Sequence, residues 1–389
     1  MKEILLHMVI EKILNGHIAF WKFLSVNDSG ENGSHQAGIL LSNKIGDSFF
    51  GIKKDGDIRK KSIQIKWQNN FSLIQHVLWY PSKQELRLTK FGKQFAYRGP
   101  KYTGALFVLL LEEKGKNYEA FVFSTDKEIN YFCNILCLSL AESNSVIDVN
   151  DFGLSPNEMT YVEDFIKPYP SNDFPSCKDM ALKAREICNK VDKNNPKKDV
   201  DAQLLRYIDF EYKMFRKIEA TRYASEYLQD KSLNIQKLVF IAKKILNRRK
   251  SRAGKSLEHH LAAIFDDKHL RYESQVVTEG NKRPDFIFPS SEAYHNIDFP
   301  INRLISLAAK TTCKDRWRQV LNEADRLKND YKYLCTLQQG ISSQQMDEMK
   351  AEKVILVVPR PYIASYPKEK RDCIWTIGKF VNYIKEVEI

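Results

Sequence analysis

The 389-residue sequence predicts two domains: a mostly β N-terminal barrel or sandwich with flanking helices, and a C-terminal α/β domain around a central sheet. Three observations carry this. Short β-like runs separated by Gly and Asn/Asp turns fill the first 150 residues or so; a Pro- and Lys-rich passage interrupts them; from Ala202 the periodicity turns helical, with isolated apolar strands between the helices.

In chain order, MKEILLHMVIEKIL carries Glu3 and Glu11 inside its apolar run, so it reads as an amphipathic helix and not as a signal peptide. The strand candidates are AGILLS, SFFGI, KSIQIKW, HVLWYP, ELRLTKF, GALFVLLL and EAFVFST, with NDSGENGS and KKDGD as turns. A helix is expected over 128–141, where Cys133 and Cys137 share one face. Pro168, Pro170, Pro175 and Pro196 place a linker region at 166–201, between domains at 1–165 and 202–389, although ALKAREICNKV inside it has the pattern of a short helix. Beyond it, Leu204, Leu205, Ile208, Tyr212, Phe215 and Ile218 recur at helical spacing, and NIQKLVFIAKKIL and SLEHHLAAIF continue the pattern. PDFIFP, LISLAAK and KVILVVP are the strands of the second domain, and DRWRQVLNEADRL is a further expected helix.

With 43% hydrophobic and 28% charged residues the chain is not a disordered one. Sixty-one Lys+Arg against 49 Asp+Glu leave +12, which favours a polyanionic partner. The excess is concentrated: twelve basic residues against three acidic ones over Gly51–Lys101, and seven against none in KKILNRRKSRAGK (243–255). Seven widely spaced cysteines do not form a disulfide framework, and a reducing cytoplasm suits them. The most apolar run, ALFVLLL, is too short to span a bilayer, so no membrane association is expected.

One constellation carries chemistry. Asp285 opens the PDFIFP strand, Lys310 ends LISLAAK 25 residues later, and Glu323 follows Lys310 by thirteen. A carboxylate beside a strand-end lysine suits metal-dependent phosphodiester hydrolysis: hard oxygen ligands for Mg²⁺ from Asp285 and Glu323, and an ammonium for the charge building on phosphate. The position two before the lysine, normally acidic in such sites, is Ala308, so the second carboxylate must come from Glu323, with Glu258 a further candidate.

The stretches NRRKSRAGKSLE (247–258), TEGNKRPDFIFPS (278–290) and AAKTTCKDRWRQVLNEADR (308–326) resemble the EcoRII-like family of type II restriction endonucleases. SVNDSGENGSHQAG (25–38), KQELRLTKFG (83–92) and YTGAL (102–106) extend the resemblance to the first half. The resemblance implies a restriction-endonuclease-like core of the PD-(D/E)XK superfamily with a mixed sheet, in which Asp285, Lys310, Glu323 and Glu258 match catalytic positions and Tyr294 a nearby tyrosine. Lys314, Asp315 and Arg316 match the segment that reads C·G pairs, which suits donors for guanine O6/N7 and an acceptor for cytosine N4. The first domain is implied to be a B3-like pseudobarrel binding a second DNA site as effector, with His35, Lys83, Glu85 and Arg87 as base readers, while Lys90 and Lys93 are expected at phosphates. Leu86 departs from the basic residue expected there, and Arg206, Tyr207, Ile208 and Asp209 replace the arginine cluster before Tyr212, a match to the pocket for a flipped central base. The implied protein is a homodimeric, Mg²⁺-dependent, effector-requiring (type IIE) enzyme cutting duplex DNA at CCWGG or CCNGG, accompanied by a cognate DNA methyltransferase. The alternative is a non-catalytic B3-type regulator with a degenerate nuclease core, which a plasmid digestion with and without Mg²⁺ distinguishes.

Overall fold

The computed structural model describes residues 2–33, 38–92, 95–112, 117–170, 173–192, 199–228 and 234–388. The N-terminal half runs α1 (Lys2–Leu14), β1 (Ile18–Phe23), α2 (Val26–Ser29), β2 (Ile39–Leu41), α3 (Gly46–Phe50), β3 (Arg59–Trp67), β4 (Phe71–Tyr80), β5 (Glu85–Thr89), β6 (Leu106–Glu112), β7 (Asn117–Phe123), α4 (Asp126–Leu136) and β8 (Ser145–Ile147). Its strands form an eight-stranded sheet in the order β2-β5-β4-β3-β7-β6-β1-β8, antiparallel except for β3 against β7. The sheet curls as a half-barrel around Phe20, Ile65, Trp67, Phe107 and Leu109.

Three local expectations need correction here. SFFGI lies largely in α3, not in a strand: the helical turn buries Phe49 and Phe50 in the barrel, and Gly51 at φ 59 supplies the left-handed residue that ends it. The strand IAFWKF escaped notice beside the amphipathic run of α1, although β1 pairs with both β6 and β8. Helix α4 stops at Leu136, five residues early, because Cys137 turns left-handed (φ 53) and caps it.

The C-terminal half comprises α5 (Pro156–Ile166), α6 (Cys177–Val191), α7 (Val200–Leu228), α8 (Ile235–Asp267), β9 (Glu273–Ser274), β10 (Phe286–Phe288), α9 (Ser291–His295), β11 (Ile305–Lys310), β12 (Lys332–Thr336), α10 (Ser343–Ala351), β13 (Val354–Val357) and α11 (Ile377–Glu388). Its mixed sheet has the order β13-β12-β11-β10-β9, parallel from β11 to β13 and antiparallel from β9 to β11. Strand β12, KYLCT, was not anticipated; Tyr333 and Cys335 enter one core and Leu334 the other, so it gives no amphipathic signal. DRWRQVLNEADRL is not an α-helix: it forms 3₁₀ turns at Trp317–Asn322 and Asp325–Leu327, broken by an extended Ala324 (φ −147, ψ 89). Long-range partners compete for its backbone, since Thr278 donates to the Glu323 carbonyl, and the Asp325 and Arg326 N–H groups donate to Glu279 and Tyr294.

The halves share a core. The largest buried cluster joins Leu6, Val9, Trp21, Phe123 and Phe132 to Leu204 and Ile208 of α7, Leu261 and Phe265 of α8, and Phe286 and Leu307 of the second sheet. This explains ALFVLLL: Phe107, Leu109 and Leu111 of β6 face the barrel, whereas Leu106, Val108 and Leu110 face the shared core. Cys133 and Cys137 are both buried, but Cys137 lies beyond the end of α4 and enters a different cluster, so they do not share the helical face expected. Among the described residues no helix is long and apolar enough to cross a membrane.

At the joint, Gly104 (φ 71) accepts a 3.0 Å hydrogen bond from Gln338 Nε2 at its carbonyl, and a Cβ there would collide with the Gly340 carbonyl. Gly104→Ala is therefore expected to lower unfolding free energy by about 2 kcal/mol or more. Chemical denaturation checks this, and Gly56→Ala, with open space around its added methyl, serves as the control.

Candidate active site

The antiparallel register of β10 with β11, which pairs Phe286 with Leu307, sets the residue before β10 opposite Ala308, one diagonal step from Lys310 at the end of β11. Asp285, buried at 6% exposure, accepts 2.7 Å from the Ala309 N–H and 3.0 Å from Lys310 Nζ at the same Oδ2. Lys310 Nζ also stands 3.5 Å from Glu323 Oε1. Burial opposes the charge on Lys310, but Asp285 and Glu323 prevail and raise its pKa, so it is an ammonium at neutral pH.

Glu323 reaches this place from the second side of the sheet. Ala308 lies on the same strand face as Lys310 and packs with Trp317 and Val320, and the chain that covers it returns Glu323 to Lys310. The missing acid at 308 and the acid at 323 are thus two aspects of one packing arrangement. Burial, and then the charge of Asp285, raise the pKa of Glu323 against the pull of Lys310. Glu258 approaches from α8; burial first and Asp285 after it raise its pKa too, while Lys255 at 2.7 Å pulls the other way.

Sequence reasoning missed one member. Gln275 Nε2 lies 3.1 Å from Glu258 Oε2 and 3.1 Å from Asp285 Oδ1, joining the two carboxylates. Only its place just before the TEGNKRPD stretch hinted at it. Tyr294 is buried, and its recorded bonds go to Glu279, at 2.7 Å, and to the Arg326 N–H, at 3.3 Å, so it buttresses the segment carrying Glu323. Burial and the adjacent Glu279 raise its phenol pKa.

The segment matched to C·G reading faces the N-terminal half. Asp126, in the first turn of α4, accepts from the N–H groups of Lys314, Asp315 and Arg316, at 3.3, 2.7 and 3.1 Å. Asp315 returns the bond by accepting from the Asp126 N–H at 3.2 Å, an anion at a helix N-terminus. Lys314, 3% exposed, donates to the carbonyls of Lys101 at 3.2 Å and Thr103 at 2.5 Å. Burial pushes its pKa down to about 8.

On the first half, Lys83 and Lys90 are exposed and flank β5, while Glu85 and Arg87 are half-buried on its outer face as an ion pair of 2.8 Å. Leu86 points into the barrel, fully buried. His35 and Lys93 lie outside the described residues. The basic run 243–255 is not a uniform DNA-facing patch: Arg249 pairs with Glu219 and the Ile135 carbonyl, and Arg252 is buried 3.7 Å over the ring of Tyr212. Tyr212 is itself a core residue.

The sequence-family model described as "EcoRII C terminal" matches residues 215–381, and "Restriction endonuclease EcoRII, N-terminal" matches residues 14–142. The Type II restriction enzyme EcoRII of Escherichia coli is 32% identical over 403 residues, covering 96% of this chain and 95% of that protein. Among solved structures, the restriction endonuclease PspGI–substrate DNA complex overlaps 55% of this chain and 93% of its own at 16% identity, with a TM-score of 0.46. The UbaLAI restriction endonuclease B3 domain with cognate DNA overlaps 29% of this chain and 72% of its own at 18% identity, with a TM-score of 0.22.

The buried Lys314 gives a pH prediction. Its docked pKa, about 8, lies below the ordinary 10.5, so docking favours the neutral amine. The penalty for burying the ammonium is complete below pH 8 and disappears above 10.5, and is at most on the order of 3 kcal/mol. Hydrogen-exchange protection of residues 312–316, corrected for intrinsic rates, should rise between pH 8 and 10 and stay flat in Lys314→Met.

Proposed function

The chain belongs to the EcoRII family of type II restriction endonucleases, and we propose that it hydrolyses both strands of duplex DNA at a short CC/GG-type site, CCWGG or CCNGG, in a Mg²⁺-dependent reaction. The juxtaposition of Asp285 and Lys310, at the ends of two interior strands, with Glu323 from the covering segment carries this reading.

The donor set fits a hard divalent cation. Asp285, Glu323 and Glu258 offer oxygens only, and Glu323 Oε2 is buried with no hydrogen-bond partner. Among the described residues no three acidic, His or Cys side chains already converge as an ion cluster, because the Lys310 ammonium stands between Asp285 and Glu323. Asp285 and Glu323 would hold Mg²⁺, with Glu258 beside them. Such an ion supplies Lewis acidity at the scissile phosphate and a more acidic bound water. Lys310, kept cationic by its two carboxylates, donates to the attacking water or a phosphate oxygen and stabilises the charge that develops there. The expected products carry 5′-phosphate and 3′-hydroxyl ends.

The second element of the proposal is activation by another DNA site. Lys314 cannot donate to guanine while its ammonium serves the Lys101 and Thr103 carbonyls, and Asp126 holds the backbone of the same segment. The effector half, with Lys83, Glu85, Arg87 and Lys90 on its surface, thus covers Lys314 of the reader, while Asp315 stays exposed and Arg316 half-buried, until effector DNA loosens this contact with the shared core intact. A homodimer suits a palindromic target, and the exposed Ile235, Leu238, Val239 and Phe240 at the start of α8 are apolar surface of the kind that associates. We place a cognate DNA methyltransferase in the same system, without direct contact.

Lys310→Ala should reduce Mg²⁺-dependent cleavage of CCWGG duplex at least about 100-fold while leaving binding in Ca²⁺ nearly unchanged. Undiminished cleavage would remove the catalytic assignment. Truncating the first half would tear the shared core, so a point change tests activation. Asp126→Ala should raise cleavage of single-site DNA about 10-fold, the equivalent of one charge-assisted hydrogen bond. An unchanged dependence on the number of sites would argue against occlusion.

A further inference from the structure

Gln275 follows β9 directly, and its backbone N–H donates 3.2 Å to the Asp285 carbonyl. Its φ is +56, in the left-handed region that favours glycine, which costs a longer side chain about 1 kcal/mol. Such a conformation persists where the surrounding bonds over-determine it. Here it places one amide nitrogen within 3.1 Å of carboxylate oxygens from two separate elements, α8 and the start of β10. The amide nitrogen must face them, since the amide oxygen would meet two acceptors, and its two hydrogens serve one carboxylate each.

The remaining bonds show what this achieves. Asp285 Oδ2 is fixed by the Ala309 N–H and Lys310 Nζ, and Oδ1 is fixed by Gln275, so the plane of the carboxylate is determined at both ends. Glu258 is held to the site through Gln275 alone among these bonds, since its other donor, Lys255, is a neighbour on its own helix. Two anions brought together without a counter-charge between them repel. A neutral donor shared between them offsets this without adding a charge that would compete with a cation.

We propose that Gln275 is a positioning residue that clamps Glu258 against Asp285 before any cation arrives, so that the two carboxylates are presented as a pair. This rests on the assignment of Asp285 to the cation site. It also makes Glu258 part of the cation's surroundings through a residue that is neither acidic nor basic.

The test is Mn²⁺ binding to the full-length protein without DNA, followed by calorimetry, on Gln275→Met and Asp285→Asn. Gln275→Met keeps the shape and loses both donors; Mn²⁺ should bind about 10-fold more weakly, kcat should fall with KM for DNA unchanged, and excess Mn²⁺ should restore kcat. Equal or tighter Mn²⁺ binding would overturn the clamp. If Asp285→Asn also binds Mn²⁺ like the parent, the cation site itself is misassigned, a distinguishable result. Should Gln275→Met not fold, Gln275→Glu serves: with a third negative charge in place of the donors it should melt earlier than the parent in cation-free buffer and recover with Mn²⁺. A parental melting temperature without cation would also overturn the proposal.

Discussion

One carboxylate organises the junction of the two halves. Asp126 accepts from three consecutive backbone N–H groups while its own N–H donates to Asp315, so four hydrogen bonds meet at the first turn of α4. Three consecutive donors aimed at one acceptor impose a tight turn on residues 314–316, and this is where the chain leaves the strand bearing Lys310. The 3₁₀ path that follows, the coverage of Ala308 and the return of Glu323 all begin from that turn. The contact that joins the first half of the chain to the second therefore stands at the start of the path that leads to Glu323.

Much of this was legible in the sequence, for physical reasons that differ by residue. Asp285 and Lys310 stand at strand ends, where apolar runs stop abruptly at a charge, so both strand and site are visible. Glu323 was legible only as an acid at a suitable distance, and the helix assigned to it was wrong because the segment takes its hydrogen bonds from Thr278, Glu279 and Tyr294, far away in sequence. Asp126 acts through partners far away in sequence and Gln275 through partners on neighbouring elements, and neither left a periodic trace, although Thr125 and Glu128 mark the capping box around Asp126. The family resemblance supplied roles for Lys314–Arg316 but nothing of the burial of Lys314, which depends on a surface from the other half of the chain.

Charge shows the same division between composition and placement. The basic excess over β3–β5 remains on the outer face of the half-barrel, at Lys60, Lys66, Lys83 and Lys90. The equally basic run in α8 is partly consumed indoors, where Arg249 ties α8 to Glu219 and to the end of α4, and Arg252 stacks on Tyr212 and Phe215. A cluster of cations on a helix buried along half its length can be mortar as well as DNA surface.

The continuous core across the two halves has a consequence for how this chain could be re-engineered. Where domains meet through a thin polar seam, a new specificity can be acquired by exchanging one domain for another. Here Val108 and Leu110 of β6 pack in the same cluster as Ile208 and Leu261, so a transplanted first half would have to match the second in shape, side chain by side chain. Exposed loops and strand faces of this chain can therefore be substituted one at a time, whereas a whole half could be replaced only together with the surface it packs against.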